Sequence, residues 1–231
     1  MNNMKFSTLA IIPARGGSTR LKNKNIFPLG DKPLICHTIE TVSKTNLFDK
    51  IVVSTDSREI AEVASQYDEV SIHDRPASLA TERATVVSAI LEYLKKDSPR
   101  FDVVSYFLPT CPFRSVEDVK EGLGFLNSAD SVISTCYYDS PIQLAMIEGD
   151  QGHVYPVFDN LKSGLTNSRF IQKYVRPNGA FYMSKWDLIL ESGAFFNGKI
   201  KQVRMPKERS VDIDTYEDIV YAEALLKRDS Q

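Results

Sequence analysis

The chain has 231 residues, of which 42% are hydrophobic and 25% charged, with 11 glycines and 11 prolines. These values are ordinary for one folded domain and exclude collagen-like and low-complexity proteins. The formal net charge of -2 provides no basic field that would attract nucleic acid or an anionic membrane. No apolar run is long enough to span a membrane, and the N-terminus has no leader pattern for export. We therefore expect a cytoplasmic protein that binds neither nucleic acid nor membranes.

Short apolar runs alternate with helical apolar spacings over the first 137 residues. Buried strands are predicted over residues 8–14, 50–54, 70–73, 103–108 and 131–137. Helices are predicted between them, beginning near Pro33, Asp56, Thr85 and Ser115. This alternation predicts a mainly parallel α/β sheet with helices on both faces and a ligand cleft beyond the carboxyl ends of the strands.

The alternation stops between Tyr138 and Pro177, where the Gly149–Gly152 stretch predicts a hairpin turn in a polar, irregular segment. We therefore predict one domain over residues 1–231 with an inserted arm at about 138–177. The pattern then resumes. It predicts strands at 179–183 and 200–205, a short helix near 186–191, and a last helix opened by Thr215 and Asp218.

The loop after the first strand is strongly basic, with Arg15, Arg20, Lys22 and Lys24 and no acidic side chain. The adjacent Gly16–Gly17 pair lets backbone N–H groups approach a ligand closely, so the loop predicts a phosphate or triphosphate site. Its spacing matches neither the dinucleotide G-x-G-x-x-G pattern nor the P-loop. A solvated basic loop is the alternative.

Near the other end, Asp212 and Asp214 lie two positions apart in an extended stretch, so both carboxylates point to one side. Such a pair suits Mg²⁺, which takes one or two carboxylates together with phosphate oxygens. If the pair faces the basic loop, the two complete a nucleotide triphosphate site. The alternative is that Asp214 caps the final helix.

The cysteines and histidines predict no further chemistry, because they are few and scattered. Their spacing matches neither a disulfide framework, a zinc site nor a histidine-dependent triad, and we expect buried, reduced thiols. These residues are Cys36, Cys111, Cys136, His37, His73 and His153.

Six motifs in order resemble those of the CMP-sialic acid synthetases, or acylneuraminate cytidylyltransferases, over nearly the whole chain. They are IIPARGGSTRLKNKNI (11–26), VVSTD (52–56), RPASLATE (75–82), LPTCPFR (108–114), RPNGAFY (176–182) and VDIDT (211–215). The resemblance implies a Rossmann-like nucleotidyltransferase that uses Mg²⁺ and CTP to activate a nine-carbon 2-keto acid sugar. It also implies pyrophosphate release and a homodimer in which the arm contacts the partner.

The resemblance assigns roles to individual residues. It implies a catalytic set of Arg15, Lys24, Asp212 and Asp214, with the two aspartates as metal ligands. It implies nucleotide contacts from Ala14, Arg15, Gly16, Gly17, Ser18, Lys24, Asn25 and Arg75. It implies sugar contacts from Gln143, Arg169, Asn178 and Gly179.

The expected reaction is attack of the sugar's anomeric 2-hydroxyl on the α-phosphorus of CTP, as in an N-acylneuraminate cytidylyltransferase. Thr19, Leu108, Cys111 and Gln143 depart from the family pattern, which leaves the sugar open between N-acetylneuraminate, legionaminate and related nonulosonates. A CMP-Kdo synthetase is a further alternative. More distant alternatives are a glycosyltransferase using Asp212–Asp214 as a D-x-D motif and a non-catalytic nucleotide-binding module.

Overall fold

The computed structural model describes residues 6–229, without the side chain of Asp229. No helix within that range combines the length and the apolarity needed to cross a membrane. The strands are β1 (Thr8–Pro13), β2 (Pro28–Leu29), β3 (Lys32–Pro33), β4 (Lys50–Thr55), β5 (Val70–Asp74), β6 (Val103–Tyr106), β7 (Ser131–Tyr137), β8 (Met146–Glu148), β9 (Val154–Pro156), β10 (Val175–Lys185) and β11 (Ile200–Arg204). The α-helices are α1 (Leu34–Lys44), α2 (Arg58–Ala64), α3 (Val86–Lys96), α4 (Val116–Phe125), α5 (Asp159–Lys162), α6 (Trp186–Ser192) and α7 (Tyr216–Asp229).

Seven strands form one sheet in the order β11-β7-β10-β6-β1-β4-β5. Strand β1 pairs in parallel with β4 and β6, β4 with β5, and β7 with β11. In this sheet only β10 is antiparallel to its neighbours, β6 and β7. The predicted α/β class with a mainly parallel sheet is therefore confirmed, with one strand reversed in the middle.

Alternate residues of β1 pack on opposite faces of the sheet. Ala10 and Ile12 belong to a core cluster with side chains of α1, α2 and α4, whereas Leu9 and Ile11 belong to a second cluster with α3 and α6. All the β1 side chains are buried, as expected for a parallel strand covered on both sides. The prediction of helices on both faces is confirmed.

Two predicted element starts are wrong. Helix α2 is capped by Ser57, whose hydroxyl accepts a hydrogen bond from the Ile60 N–H, and not by Asp56. Strand β10 begins at Val175 instead of residue 179, because its first residues pair with β7 before a register shift between Pro177 and Tyr182. Pairing between strands decides that boundary, and apolar patterning does not reveal it.

Within the predicted arm, strands β8 and β9 pair only with each other, as an antiparallel hairpin. The predicted turn at Gly149–Gly152 joins them. Almost every residue of the hairpin is exposed, so it stands away from the main core.

Candidate active site

The carboxyl ends of β6, β1, β4 and β5 lie side by side at one edge of the sheet, since these four strands are adjacent and parallel. The chain leaves β1 toward β4 and later returns on the other side of β1 as β6. This reversal creates the crevice in which α/β sheets bind ligands. A cavity of about 400 Å³ lies there. It is lined by Pro13, Arg15, Ser18, Thr19, Arg20, Lys24, Asn25, Arg75, Glu82, Ala84, Val86, Leu108, Pro109 and Thr110.

The basic loop is anchored at the mouth of this cavity by backbone contacts. The Gly16 N–H donates to Asp56 Oδ1 at 2.9 Å, and the Asn25 side-chain amide donates to the Arg15 carbonyl oxygen at 2.9 Å. A Cβ atom on residue 16 would lie only 2.9 Å from Ser57 Cβ, so glycine permits this close approach. The loop therefore has a defined shape, unlike a freely solvated segment.

Arg75 lies almost fully buried at the end of β5, where it lines the cavity wall. Its guanidinium donates to the Ser54 carbonyl oxygen at 2.9 Å and to the Ser54 hydroxyl at 3.3 Å. Burial lowers the pKa of Arg75, and the opposing charge of Asp56 offsets part of that effect.

Asp214 joins the last part of the chain to the basic loop. Lys24 Nζ lies 2.7 Å from Asp214 Oδ1, and an Arg20 guanidinium nitrogen lies 2.9 Å from Oδ2. The carboxylate does not cap the final helix; that position belongs to Thr215 and Asp218, whose side chains bond to each other's backbone N–H groups. The predicted juxtaposition of carboxylate and basic loop is therefore present.

Asp212 has a different environment from Asp214. It is exposed, and within residues 6–229 it makes no ion pair; its Oδ1 lies 3.7 Å from the Cys111 sulfur. Burial, reinforced by the Asp212 charge, raises the pKa of the Cys111 thiol. Between the two aspartates, the Ile213 N–H donates to the carbonyl oxygen of Thr110, which lines the cavity. A carboxylate without an ion pair, two residues before a second carboxylate, fits the oxygen donor set that Mg²⁺ prefers.

Asn178 and Gly179 lie against the loop that follows β6, which contains Leu108 and Cys111. The Asn178 amide nitrogen donates to the Ser210 hydroxyl at 2.9 Å, and its side-chain oxygen accepts from the Ala180 N–H at 3.2 Å. The Asn178 side chain is buried, and its two hydrogen bonds link the start of β10 to Ser210. Its expected contact with a sugar stays a prediction.

Gln143 and Arg169 lie in the arm, apart from the other predicted site residues. Arg169 is exposed and lines a second cavity of about 590 Å³ that shares no lining residue with the first. Gln143 is buried; its amide donates to the Gln172 carbonyl oxygen at 2.8 Å, while Oε1 has no partner. The structure thus divides the predicted sugar contacts between two regions.

The remaining predicted nucleotide contacts differ in accessibility. Ala14 is fully buried and its N–H donates to the Ser54 carbonyl oxygen, so its side chain faces the core. Gly17 is exposed, and Ser18 lines the cavity. Asp56, predicted from the sequence to begin a helix, instead accepts a hydrogen bond from the Gly16 N–H. The signal for this role in the sequence is its position immediately after a parallel strand.

Comparisons with known proteins show which sequences and folds this chain is similar to. The profile of the family described as cytidylyltransferase matches residues 9–136. The chain is 31% identical to a pseudaminic acid cytidylyltransferase of Campylobacter jejuni, covering 96% of this chain and 97% of that protein. It is 34% identical to a CMP-N,N'-diacetyllegionaminic acid synthase of Legionella pneumophila, with 95% and 96% covered. A 4-diphosphocytidyl-2C-methyl-D-erythritol synthase of Anaerococcus prevotii superposes with a TM-score of 0.70 at 21% identity, over 96% of this chain and 99% of that one, and shows a shared fold.

Replacing Gly179 by alanine should destabilise the protein by about 1–3 kcal/mol in urea unfolding, because two effects combine. Its φ is +81°, and the new Cβ would lie 2.9 Å from Cys111 Sγ. Gly152→Ala is the matched control, with the same φ of +81° and open space around it. Adding Cys111→Ala to Gly179→Ala should recover part of the loss. Equal costs for Gly152→Ala and Gly179→Ala would contradict the steric part.

Proposed function

The chain belongs to the cytidylyltransferase family of CMP-sialic acid synthetases, as its six ordered motifs predicted, and we propose that it transfers CMP from CTP to the anomeric 2-hydroxyl of a nonulosonic acid. Pyrophosphate is the second product. The observation that carries this proposal is the cavity at the carboxyl ends of β1 and its neighbours, beside which Lys24 and Arg20 form ion pairs with Asp214. The relatives named above carry CMP-nonulosonate activities in their names, which agrees with this reaction class.

In the proposed mechanism, the cationic side chains around the cavity bind the triphosphate and offset charge on the departing pyrophosphate. Arg15 lines the cavity and makes no ion pair within residues 6–229, so its guanidinium is available for phosphate oxygens. Lys24 and Arg20 exchange their contacts with Asp214 for phosphate when CTP enters. Fixed positioning supplies the remaining catalysis, and no covalent intermediate is needed.

Asp212 and Asp214 are the residues proposed to hold Mg²⁺. When bound, the metal ion supplies charge neutralisation at the phosphate oxygens and lowers the pKa of a coordinated hydroxyl. The support is the donor set, because Asp212 is exposed without a cationic partner in the described residues and Asp214 already lies among the loop cations.

The sugar is proposed to be a nine-carbon acid of the sialic, legionaminic or pseudaminic type. Pseudaminate joins the alternatives expected from the sequence because one relative is named for that sugar. The polar and aromatic groups of the arm, including Arg169, Lys173 and Tyr138, line a cavity of about 590 Å³ that suits a polar acid. Arg169 and Lys173 provide positive charge for the sugar carboxylate.

The arm is also the proposed contact between two copies of the chain. Its hairpin and following loop expose large apolar side chains, and a concentration of exposed apolar residues is typical of interaction surfaces. A two-stranded hairpin is marginally stable by itself, so packing against a partner would stabilise it. The exposed residues are Met146, Ile147, Val154, Tyr155, Val157, Phe158, Leu165, Phe170 and Tyr174.

With CTP and Mg²⁺, the purified protein should release pyrophosphate when offered the correct sugar. The panel is N-acetylneuraminate, N,N'-diacetyllegionaminate, pseudaminate and Kdo, measured by pyrophosphate release and by mass detection of the CMP-sugar. One of the nine-carbon acids should be preferred over Kdo. CTP binding without pyrophosphate release from any of the four would contradict the transferase proposal and favour a binding module.

Asp212→Asn should lower turnover at least about 100-fold, because the change removes a charged metal ligand where charge develops in the transition state. The melting temperature and circular dichroism should be unchanged, since the side chain is exposed. Asp187→Asn is the control: this aspartate is also exposed and pairs with Arg100 on the surface. Near-normal activity of Asp212→Asn at all Mg²⁺ concentrations would refute the metal assignment.

Wild-type protein should sediment at twice the 26.0 kDa chain mass, and Ile147→Asp should sediment as a monomer. A charge at this 61% exposed position places an ion in the proposed apolar contact, which is costly once water is excluded. Val220→Asp is the control, because Val220 is 52% exposed on α7, outside the arm. A monomeric wild type would refute the dimer.

A further inference from the structure

Three side chains that could bind a metal converge where edge strand β5 packs on helix α3. His73 Nε2 lies 3.4 Å from Glu92 Oε2 and 3.5 Å from Asp97 Oδ2. One ligand atom from each residue can be chosen so that all three lie within 4.8 Å of one another. They belong to a separate place from Asp212 and Asp214, beside a cavity of about 370 Å³ that shares no lining residue with the nucleotide cavity.

The separations match a metal coordination sphere. Zn²⁺ binds imidazole nitrogen and carboxylate oxygen at about 2.1 Å, and in a tetrahedron this places neighbouring ligand atoms roughly 3.4 Å apart. The observed distances of 3.4 and 3.5 Å are longer than good hydrogen bonds. The three groups are therefore spaced for a shared cation better than for direct bonding.

Two buried polar atoms at this place have no hydrogen-bond partner. Glu92 Oε2 is inaccessible to solvent and accepts no hydrogen bond, whereas the other oxygen, Oε1, lies 3.1 Å from Lys96 Nζ. The hydroxyl of Tyr93 is also unpartnered, in a residue that is only 3% exposed and lines the cavity. Native proteins satisfy buried polar atoms almost always, so both point to a ligand that completes the site.

The other ring nitrogen of His73 has a partner that can orient the imidazole. Nδ1 lies 3.0 Å from the Ser54 hydroxyl. When Nδ1–H donates to that hydroxyl, Nε2 presents its lone pair toward Glu92 and Asp97, and such a second contact orients metal-binding histidines.

We propose that His73, Glu92 and Asp97 bind one divalent transition-metal ion of the Zn²⁺ class. One nitrogen and two carboxylate oxygens form a borderline donor set that suits Zn²⁺, Co²⁺ or Ni²⁺ better than Mg²⁺. The neighbouring cavity is lined by His73 and Asp97 together with Tyr93 and Lys50, and it leaves room for a further ligand of the ion. The ion ties the end of α3 to the edge of the sheet, because Asp97 is the C-cap residue of this helix.

The test is a Co²⁺ titration of EDTA-treated protein with excess Mg²⁺ present to occupy the oxygen-only site. Wild-type protein should bind one Co²⁺ with ligand-field absorption, and Zn²⁺ should displace it. His73→Gln should weaken binding at least about 100-fold. His153→Gln, which changes an exposed histidine of the arm, should bind like wild type.

Thermal unfolding gives an independent readout that does not depend on enzymatic activity. At a Zn²⁺ concentration about 100-fold above Kd, the Tm of the wild type should rise by about 5 °C or more, since the ion binds only the folded chain. The shift should be absent in His73→Gln and in the isosteric Glu92→Gln. Equal Co²⁺ affinity of wild type and both variants, or no binding by wild type, would overturn the proposal and leave a proton-shared triad.

Discussion

The ion pair between Lys24 and Asp214 is the contact on which the candidate site depends, because it joins the loop after the first strand to the segment before the last helix. Beneath it, Leu21 packs in one apolar cluster with Ile213 and Ile219, so the two segments are fastened by burial as well as by charge. The Lys24 side chain is 14% exposed, and a partly buried pair is screened by salt less than a surface pair. The arrangement places the loop cations Arg20 and Lys24, which line the cavity, next to Asp214, one of the two proposed metal ligands.

The reversed strand β10 determines where the arm stands. Because β10 runs against both β6 and β7, strands β6 and β7 are parallel and the arm leaves and re-enters the sheet at its carboxyl edge. The same edge carries the nucleotide cavity. One insertion therefore brings Arg169 to the ligand side of the protein without placing it in that cavity. The proposed site of CMP transfer, which is common to the family, and the proposed sugar contacts, which vary with the substrate, can therefore occupy neighbouring but separate regions.

The two proposed metal sites differ in the donors they offer, and this difference separates the ions they would take. The Asp212–Asp214 pair offers oxygen only and lies beside the proposed triphosphate cavity, which suits Mg²⁺. The His73 cluster adds an imidazole nitrogen and lies between β5 and α3, which suits a borderline ion. Arg75 connects the regions, since the Ser54 hydroxyl bonds to Arg75 and lies 3.0 Å from His73.

The sequence by itself determined the alternation of strands and helices and the two-sided core, because burial patterns and caps depend on neighbouring residues. Only the tertiary structure decided the direction of β10, the facing of the basic loop and Asp214, the contact of Asp56 with Gly16, and the meeting of His73 with Glu92 and Asp97. These depend on which strands become neighbours and on how a helix packs across an edge. Such contacts between distant positions leave no periodic signal in the chain.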